Sequence, residues 1–466
     1  MDALVYSESL AFNQVKRRAV SARSFRVKLP SSNGTTFSPG DTAVIDLPGN
    51  LSGQYYNANQ MYLMVTVKPA VNEVILDRGG AFSLVDRLQI SSAGANIFDL
   101  NNFGVLATAL MDTDASSEYK AGYGQLMLGT QGDCLRGEIL AVGVERTFCI
   151  PMVLNPLALT TPHRLIPGFG LSSLEYRVTF NSIAKAFKQA AAGAATVQFS
   201  NVQMVCLMTQ LSADAQAEVD RSTGGFYKIL CSSYQNAQAS LAADISQLTV
   251  PLGFSVSSLE RVIITHRPQA STSNIQSYSL GNRSTAGLTQ FNLLINGESY
   301  PQRPINVTAL LDSTSPAESV AELLIADHAL TDFKKGCGLN NGYKAITMPG
   351  IGGTSLTGLD PSVKKAMPFS ESQPAGTTAG AANATAAGAA TPSNIGTFLC
   401  SVELESGISD GKSATIYSGI STLASQVSYS GTYNSTGVAH TLDFFAQYSI
   451  ILALDMRGSA VYSVSV

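Results

Sequence analysis

Apolar and polar residues alternate with a period of two along most of the chain. The segments "SFRVKL" (24–29), "TAVIDL" (42–47), "MYLMVTV" (61–67) and "NEVIL" (72–76) are short alternating or apolar runs, as are "RLQI" (87–90), "RTFCIPMVL" (146–154), "LEYRVTF" (174–180) and "VQFSNVQMVCLM" (197–208). Successive side chains of a strand point to opposite faces, so such runs predict strands with one buried face. Between them lie "SSNGT", "SPGD", "LPGN", "DRGG" and "SSAG", turn chemistry that reaches φ > 0 or pre-sets φ. After "STGG" (222–225) the pattern restarts with "FYKILCSSY" (226–234), "SQLTVPL" (246–252), "LERVIITH" (259–266) and "FNLLING" (291–297). It ends with "GTFLCSVELE" (396–405), "ASQVSYS" (424–430), "DFFAQYSIILAL" (443–454) and "AVYSVSV" (460–466). Helical spacing is confined to three places. These are 101–112, 211–221 with Ser212 as N-cap, and 317–330, where Val320, Leu323, Leu324 and His328 or Leu330 share a face. Strands of this length and spacing predict an antiparallel sandwich or barrel.

The pattern is written twice. "GLSSLEYRVTF" (170–180) and "GISTLASQVSY" (419–429) align without a gap. In that register Leu174, Val178 and Phe180 match Leu423, Val427 and Tyr429, and steps of four and two put each trio on one inward face. The order of features repeats as well. "RLQISSAGANIFDL" (87–100) is echoed by "NLLINGESYPQRPI" (292–305), and a helical stretch follows each. Chance similarity among Ser/Gly/Leu-rich strands is the plainer alternative, and the repeated order weighs against it. Two copies of one sandwich are expected, over residues 1–215 and 226–466, with a long loop inserted at 331–395. That loop holds the Ala/Gly/Thr tract "PAGTTAGAANATAAGAATP" (374–392), which has neither charge nor large apolar side chain to anchor it. It reads as an outward projection.

Composition sharpens the picture. With 466 residues, 45 % of them hydrophobic, the chain can fill two cores. Only 13 % are charged, about half the roughly 25 % usual for soluble proteins. Large neutral surfaces are expected when neighbours cover them; a monomer with a Ser/Thr/Asn-rich skin is the plainer alternative. A net charge of −4 does not suit the molecule as a whole to neutralising a polyanion. One stretch differs. "QVKRRAVSARSFRVKL" (14–29) carries Lys16, Arg17, Arg18, Arg23, Arg26 and Lys28 with no acid among them. It could meet phosphates of nucleic acid or lipid, or simply form a solvated basic edge. Six cysteines, at 134, 149, 206, 231, 337 and 400, make no close pair and are expected as free thiols in a reducing intracellular compartment. The N-terminus lacks the apolar core of a secretory signal, and no apolar run is long enough to span a bilayer.

Catalytic patterns do not appear. His163, His266, His328 and His440 are isolated, with no zinc spacing and no H-E-x-x-H. "GISDGKS" (407–413) ends like a phosphate loop, but three residues rather than four separate its glycines and a strand-like "ATIYSG" follows. It reads as a β-turn. No catalytic residue, metal ligand or cofactor is assigned. A β-sandwich adhesin or carbohydrate-binding surface protein is the main alternative, but sugar platforms favour Trp, and the chain has none. A β-sandwich hydrolase would need a constellation that is missing.

The tandem halves, the link "LSADAQAEVDRSTGG" (211–225), the hairpins "RLQISSAG" and "LLINGESYPQRPI", the helix after each and the long loop of the second half together resemble the double jelly-roll major capsid proteins of tailless icosahedral viruses, in the virophage, polinton-like and adenovirus-type lineage. The resemblance covers nearly the whole chain, and "INGESYPQRP" is its most suggestive motif. It implies an all-β fold of two tandem eight-stranded antiparallel jelly-roll sandwiches with a few short helices. It further implies a non-enzymatic structural subunit of the virion, forming pseudo-hexameric homotrimers that tile an icosahedral shell. The partners implied are the chain itself, neighbouring capsomers, and penton and minor capsid proteins. Lys16, Arg17, Arg18 and Arg23 would lie on the inner face, toward genome or internal membrane.

Overall fold

The computed structural model describes residues 22–49, 53–92, 94–130, 137–159, 165–170, 173–189, 195–224, 226–270, 278–307, 317–327, 330, 398–405, 419–434, 438–455 and 460–465. The inserted loop 331–395, the Ala/Gly/Thr tract, "GISDGKS" and Lys16, Arg17 and Arg18 lie outside them.

Among the described residues, the first half builds a wide sheet in the order β1 (Ala22–Pro30), β13 (Thr196–Leu211), β4 (Gln54–Val71) and β10 (Ile166–Pro167). On it β2 (Thr36–Phe37) pairs with β13 and β9 (Arg146–Pro151) with β4. The facing sheet runs β3 (Thr42–Pro48), β11 (Ser173–Phe180), β6 (Val85–Ser92) and β7 (Ala95–Asn101). A small third sheet joins β12 (Phe187–Gln189), β5 (Val74–Leu76) and β8 (Ile139–Leu140). The second half repeats the plan. Its wide sheet runs β14 (Phe226–Leu241), β21 (His440–Asp455), β16 (Leu259–Pro268) and β19 (Cys400–Glu403), with β22 (Ala460–Ser465) on β21. Its facing sheet runs β15 (Gln247–Leu252), β20 (Val427–Tyr433), β17 (Leu288–Ile295) and β18 (Glu298–Asn306). Among the described residues every strand pairing is antiparallel, and none joins a strand of one half to a strand of the other.

Alternation decides which faces meet. On β4, Leu63, Val65 and Val67 are fully buried, and Met204, Cys206 and Met208 of β13 point the same way. Across the gap Phe180 of β11 packs on Phe199 of β13 at 4.6 Å between ring centroids. In the second half Tyr429 of β20 meets Phe444 of β21 at 5.1 Å. Burying an aromatic ring of this kind contributes about 2–3 kcal/mol, so these inward rows hold each pair of sheets together.

Among the described residues, the helical stretches read at 101–112, 211–221 and 317–330 each hold a helix, and three shorter helices that the spacing did not announce add to them. α1 (Phe103–Asp114) follows the β6–β7 hairpin; α2 (Ser117–Ala121) and α3 (Tyr123–Leu128) come next, and α4 (Ile183–Ala186) precedes β12. The linker α5 (Ala213–Thr223) has the expected cap: Ser212 Oγ accepts from the Ala215 N–H. Gly224, at φ 62°, ends that helix in the left-handed conformation glycine adopts without strain. α6 (Ala317–Ala326) follows the β17–β18 hairpin, as α1 follows its own.

The repeated phrase belongs to matching strands, β11 and β20, each second in its sheet, but its register needs correction. Leu174 lies opposite Ser92, the last residue of β6, and Val427 lies opposite Ile295, the last of β17. The true partner of Leu174 is therefore Val427 and not Leu423, a slip of four residues. The same bulge confirms it: Thr179 and Phe180 face Arg87 and Val85, as Thr432 and Tyr433 face Gln290 and Leu288. Leu423, expected inward, lies before β20 and is 57 % exposed. A period of two cannot distinguish shifts by two or four, because either leaves inward residues inward.

Candidate functional site: the seam between the sandwiches

The two halves are locked together through two buried carboxylates. Asp77, in the turn after β5, accepts hydrogen bonds from three backbone N–H groups of the second half: Ser279 at 3.0 Å, Leu280 at 2.9 Å and Gly281 at 2.9 Å. The turn fits closely. A Cβ on Gly281 would stand 2.5 Å from Asp77 Oδ1, so only glycine allows the approach. Asp112, near the end of α1, receives the Arg78 and Arg283 guanidinium groups on one oxygen and Lys120 Nζ at 3.0 Å on the other. Arg283 belongs to the second half, and its side chain is fully buried.

The charges set the protonation of both acids. Burial pushes Asp112 up, but Arg78, Lys120 and Arg283 together outweigh it and hold the carboxyl at about 2. Asp77 has no comparable cationic surround, and burial raises it despite the N–H groups of Leu280, Arg78 and Gly281. Burial also lowers Arg283 to about 10, against the attraction of Asp112.

Beside this cluster, Asn102 Nδ2 donates to Asn236 Oδ1 of β14 at 3.1 Å, tying the start of α1 to the second sandwich. The outer face of the second wide sheet is itself buried: Tyr234 is 5 % exposed, Ile263 1 % and Phe445 0 %. A cleft of about 620 Å³ opens along the seam, lined by Leu110, Met111 and Asp114 of α1 and by Tyr234 and Arg261 across from them. Arg261 is spoken for: it donates to Gln447 Oε1 at 2.7 Å and to Asp327 Oδ1 at 3.0 Å. The seam is thus a polar lock set in an apolar joint.

Catalytic chemistry finds little purchase. Ser284 Oγ and His440 Nε2 lie 2.8 Å apart, and His440 Nδ1 is 2.9 Å from the Val438 carbonyl. The serine is 5 % and the histidine 3 % exposed, so no substrate carbonyl reaches them in this conformation. Burial lowers His440 to about 4. His266, lowered by burial and by His440 to about 3, bonds Tyr433, whose hydroxyl bonds Tyr429. Both are core histidines. Among the described residues, no group of His, Cys, Asp or Glu is placed to hold a metal ion, and no helix is long and apolar enough to cross a membrane. Cys149, Cys206, Cys231 and Cys400 are free thiols.

Of the basic residues read from the sequence, Arg23 is on β1, exposed, with its guanidinium 5.7 Å from the centroid of the Phe25 ring. Lys16, Arg17 and Arg18 are outside the described residues, so the four are not seen together. The seam residues were not singled out in the sequence. The one available signal was the pair of carboxylates, Asp112 and Asp114, that closes a largely apolar helix.

Two antiparallel sandwiches of the same strand order, joined by a short helix and locked side by side, define the double jelly-roll class. No family model matches the chain, and no curated protein matches it in sequence. Among solved structures, PBCV-1 VP54, fitted into a cryo-EM reconstruction of the virophage Sputnik, is similar over 98 % of this chain and 99 % of its own, at 10 % identity and TM-score 0.58. The Faustovirus major capsid protein matches over 96 % of this chain and 92 % of its own, at 8 % identity and TM-score 0.56. A 3.5 Å structure of the Sputnik virophage matches over 100 % and 93 %, at 9 % identity and TM-score 0.53. The fold of this chain is the double jelly roll of viral major capsid proteins.

Proposed function

We propose that this chain is the major capsid subunit of a tailless icosahedral virus and that it acts by assembly, not catalysis. The observation that carries the reading is the end-to-end likeness to capsid proteins over 98 % of one chain and 99 % of the other. The seam supports it. A shell subunit must present two sandwiches as one rigid block, and the Asp77 and Asp112 contacts do that. The separate sheets support the division into 1–215 and 226–466.

In this reading three chains form a pseudo-hexagonal tile of six sandwiches, and tiles meet neighbouring capsomers, penton and minor proteins in the virion. Each contact is weak alone; many symmetric ones close the shell through effective concentration. A low charge content, 13 %, keeps repulsion between copies small. Lys16, Arg17, Arg18 and Arg23 face inward, toward genome or an internal membrane. Electron microscopy of the purified protein under assembly conditions tests the function. Closed shells or hexagonal arrays of tiles support it; isolated particles of one chain at every concentration would overturn it.

A further inference from the structure

The contact between the two sandwiches is head-to-tail. The first sandwich turns α1 toward the outer face of the second wide sheet, with Asn102 at the head of the helix bonded to Asn236 and the seam cleft between the two elements. The α1 residues along the seam cleft, Ala107, Leu110, Met111 and Asp114, follow the i, i+3, i+4, i+7 spacing of one helix face. A helix follows the matching hairpin in each sandwich and each wide sheet has an outer face, so each half of the contact has a counterpart. On α6 the same spacing holds Glu318, Ala321, Glu322 and Ile325, none of them buried and Ile325 39 % exposed. On the first sandwich the outer face of the wide sheet carries Arg26 and Lys28 of β1, both exposed. Beside them are the half-buried Leu207, Tyr62 and Met64. Pairing places these on one side: Lys28 opposite Val205, Val205 opposite Tyr62, and Arg26 opposite Leu207.

We propose that α6 of one copy docks on the outer face of the β1–β13–β4 sheet of a second copy, repeating between chains the contact that α1 makes within one. The inference rests on the assembly reading above and names the surfaces that would carry it. Charge selects the occupant. Glu318 and Glu322 form an acidic pair one turn apart; Asn306 Nδ2 donates to Glu318 Oε2 at 2.8 Å, and burial followed by Glu318 pushes the Glu322 carboxyl up while Arg303 draws it down, so the pair gains from a further cationic neighbour. No described carboxylate lies within ion-pair distance of Arg26 or Lys28. A heterologous contact that repeats from sandwich to sandwich generates a ring if the rotation closes. Three chains then supply six sandwiches with no free twin left over.

Charge reversal tests the match. In the wild-type trimer, Arg26→Glu with Lys28→Glu should raise the dissociation concentration at least about tenfold, since like charges oppose docking. Glu318→Lys with Glu322→Lys should do the same, and all four changes in one chain should restore the trimer. Circular dichroism melts check that each variant is folded. Carbodiimide coupling of unaltered protein, mixed from isotopically light and heavy chains, gives an independent readout: Lys28 should join Glu318 or Glu322 of a different chain. A wild-type trimer that is indifferent to both reversals, is not restored by the fourfold change, or lacks that cross-link overturns the docking while leaving the capsid reading intact. A wild-type protein that is monomeric at every concentration overturns both.

Discussion

Replacing Asp112 by Asn keeps the volume of the side chain and removes its charge. Three cations remain in a place with almost no water: the side chains of Arg78, Lys120 and Arg283 are 2 %, 5 % and 0 % exposed. Breaking a buried pair by deleting one partner typically costs about 3–5 kcal/mol, because the other charge stays behind. Unfolding entropy is about 2.1 cal/mol/K per residue, so the 466 residues together carry about 1 kcal/mol/K. If the locked sandwiches melt as one unit, Tm should fall by about 3–5 °C. If the lost lock lets one half melt alone, the entropy is halved and the fall is about 6–10 °C. Scanning calorimetry of the full chain reads both the shift and the number of transitions. Asp99→Asn is the control. Its pair with Arg87 is 26 % and 39 % exposed, and losing such a pair costs under about 1 kcal/mol. Adding Arg283→Met to Asp112→Asn should recover part of the loss by removing one stranded cation. An Asp112→Asn protein that melts like the Asp99→Asn control would refute the idea that the seam depends on this charge.

The other expectations are brief. Asp112 is held at about 2 against an ordinary 3.8. A depressed acid contributes stability that is present above about pH 4 and lost as pH falls toward 2, here about 2 kcal/mol. The gap in Tm between wild type and Asp112→Asn should therefore narrow between pH 5 and pH 2; a constant gap would mean that charge is not what Asp112 supplies. Asp77, raised by burial, acts in the opposite sense in both proteins, so it cancels from the difference. Gly104→Ala should destabilise although alanine favours helix by up to about 1 kcal/mol. The new Cβ would lie 2.9 Å from the Phe82 carbonyl and 3.0 Å from that of Val85, and a rise in the urea midpoint would contradict this.

Alternation made the strands legible. β1, β3, β6, β11, β16 and β17 all overlap the runs of period two or continuous apolarity, extending past them by one to four residues. The tandem order was legible too, because it needs only the sequence of features. Register was not: the pairing of β20 with β17 shows that the repeated phrase had slipped by four residues, as a two-residue period permits. The seam was hidden for a different reason. Asp77, Asp112 and Arg283 are far apart in sequence, and none sits in a motif; only the folded chain brings them together. The covered outer face of β14, where Tyr234 is buried and Ser232 and Asn236 are half-buried, was equally silent, since these residues read as an ordinary solvent side. What covers them is the neighbouring sandwich.

The central claim is that this double sandwich exists to be surrounded by copies of itself. Native mass spectrometry of the purified chain, over a range of concentrations, addresses it directly. The account expects a stable species at about three times the chain mass of 48.9 kDa. A single species at one chain mass, persisting at high concentration and low salt, would contradict it.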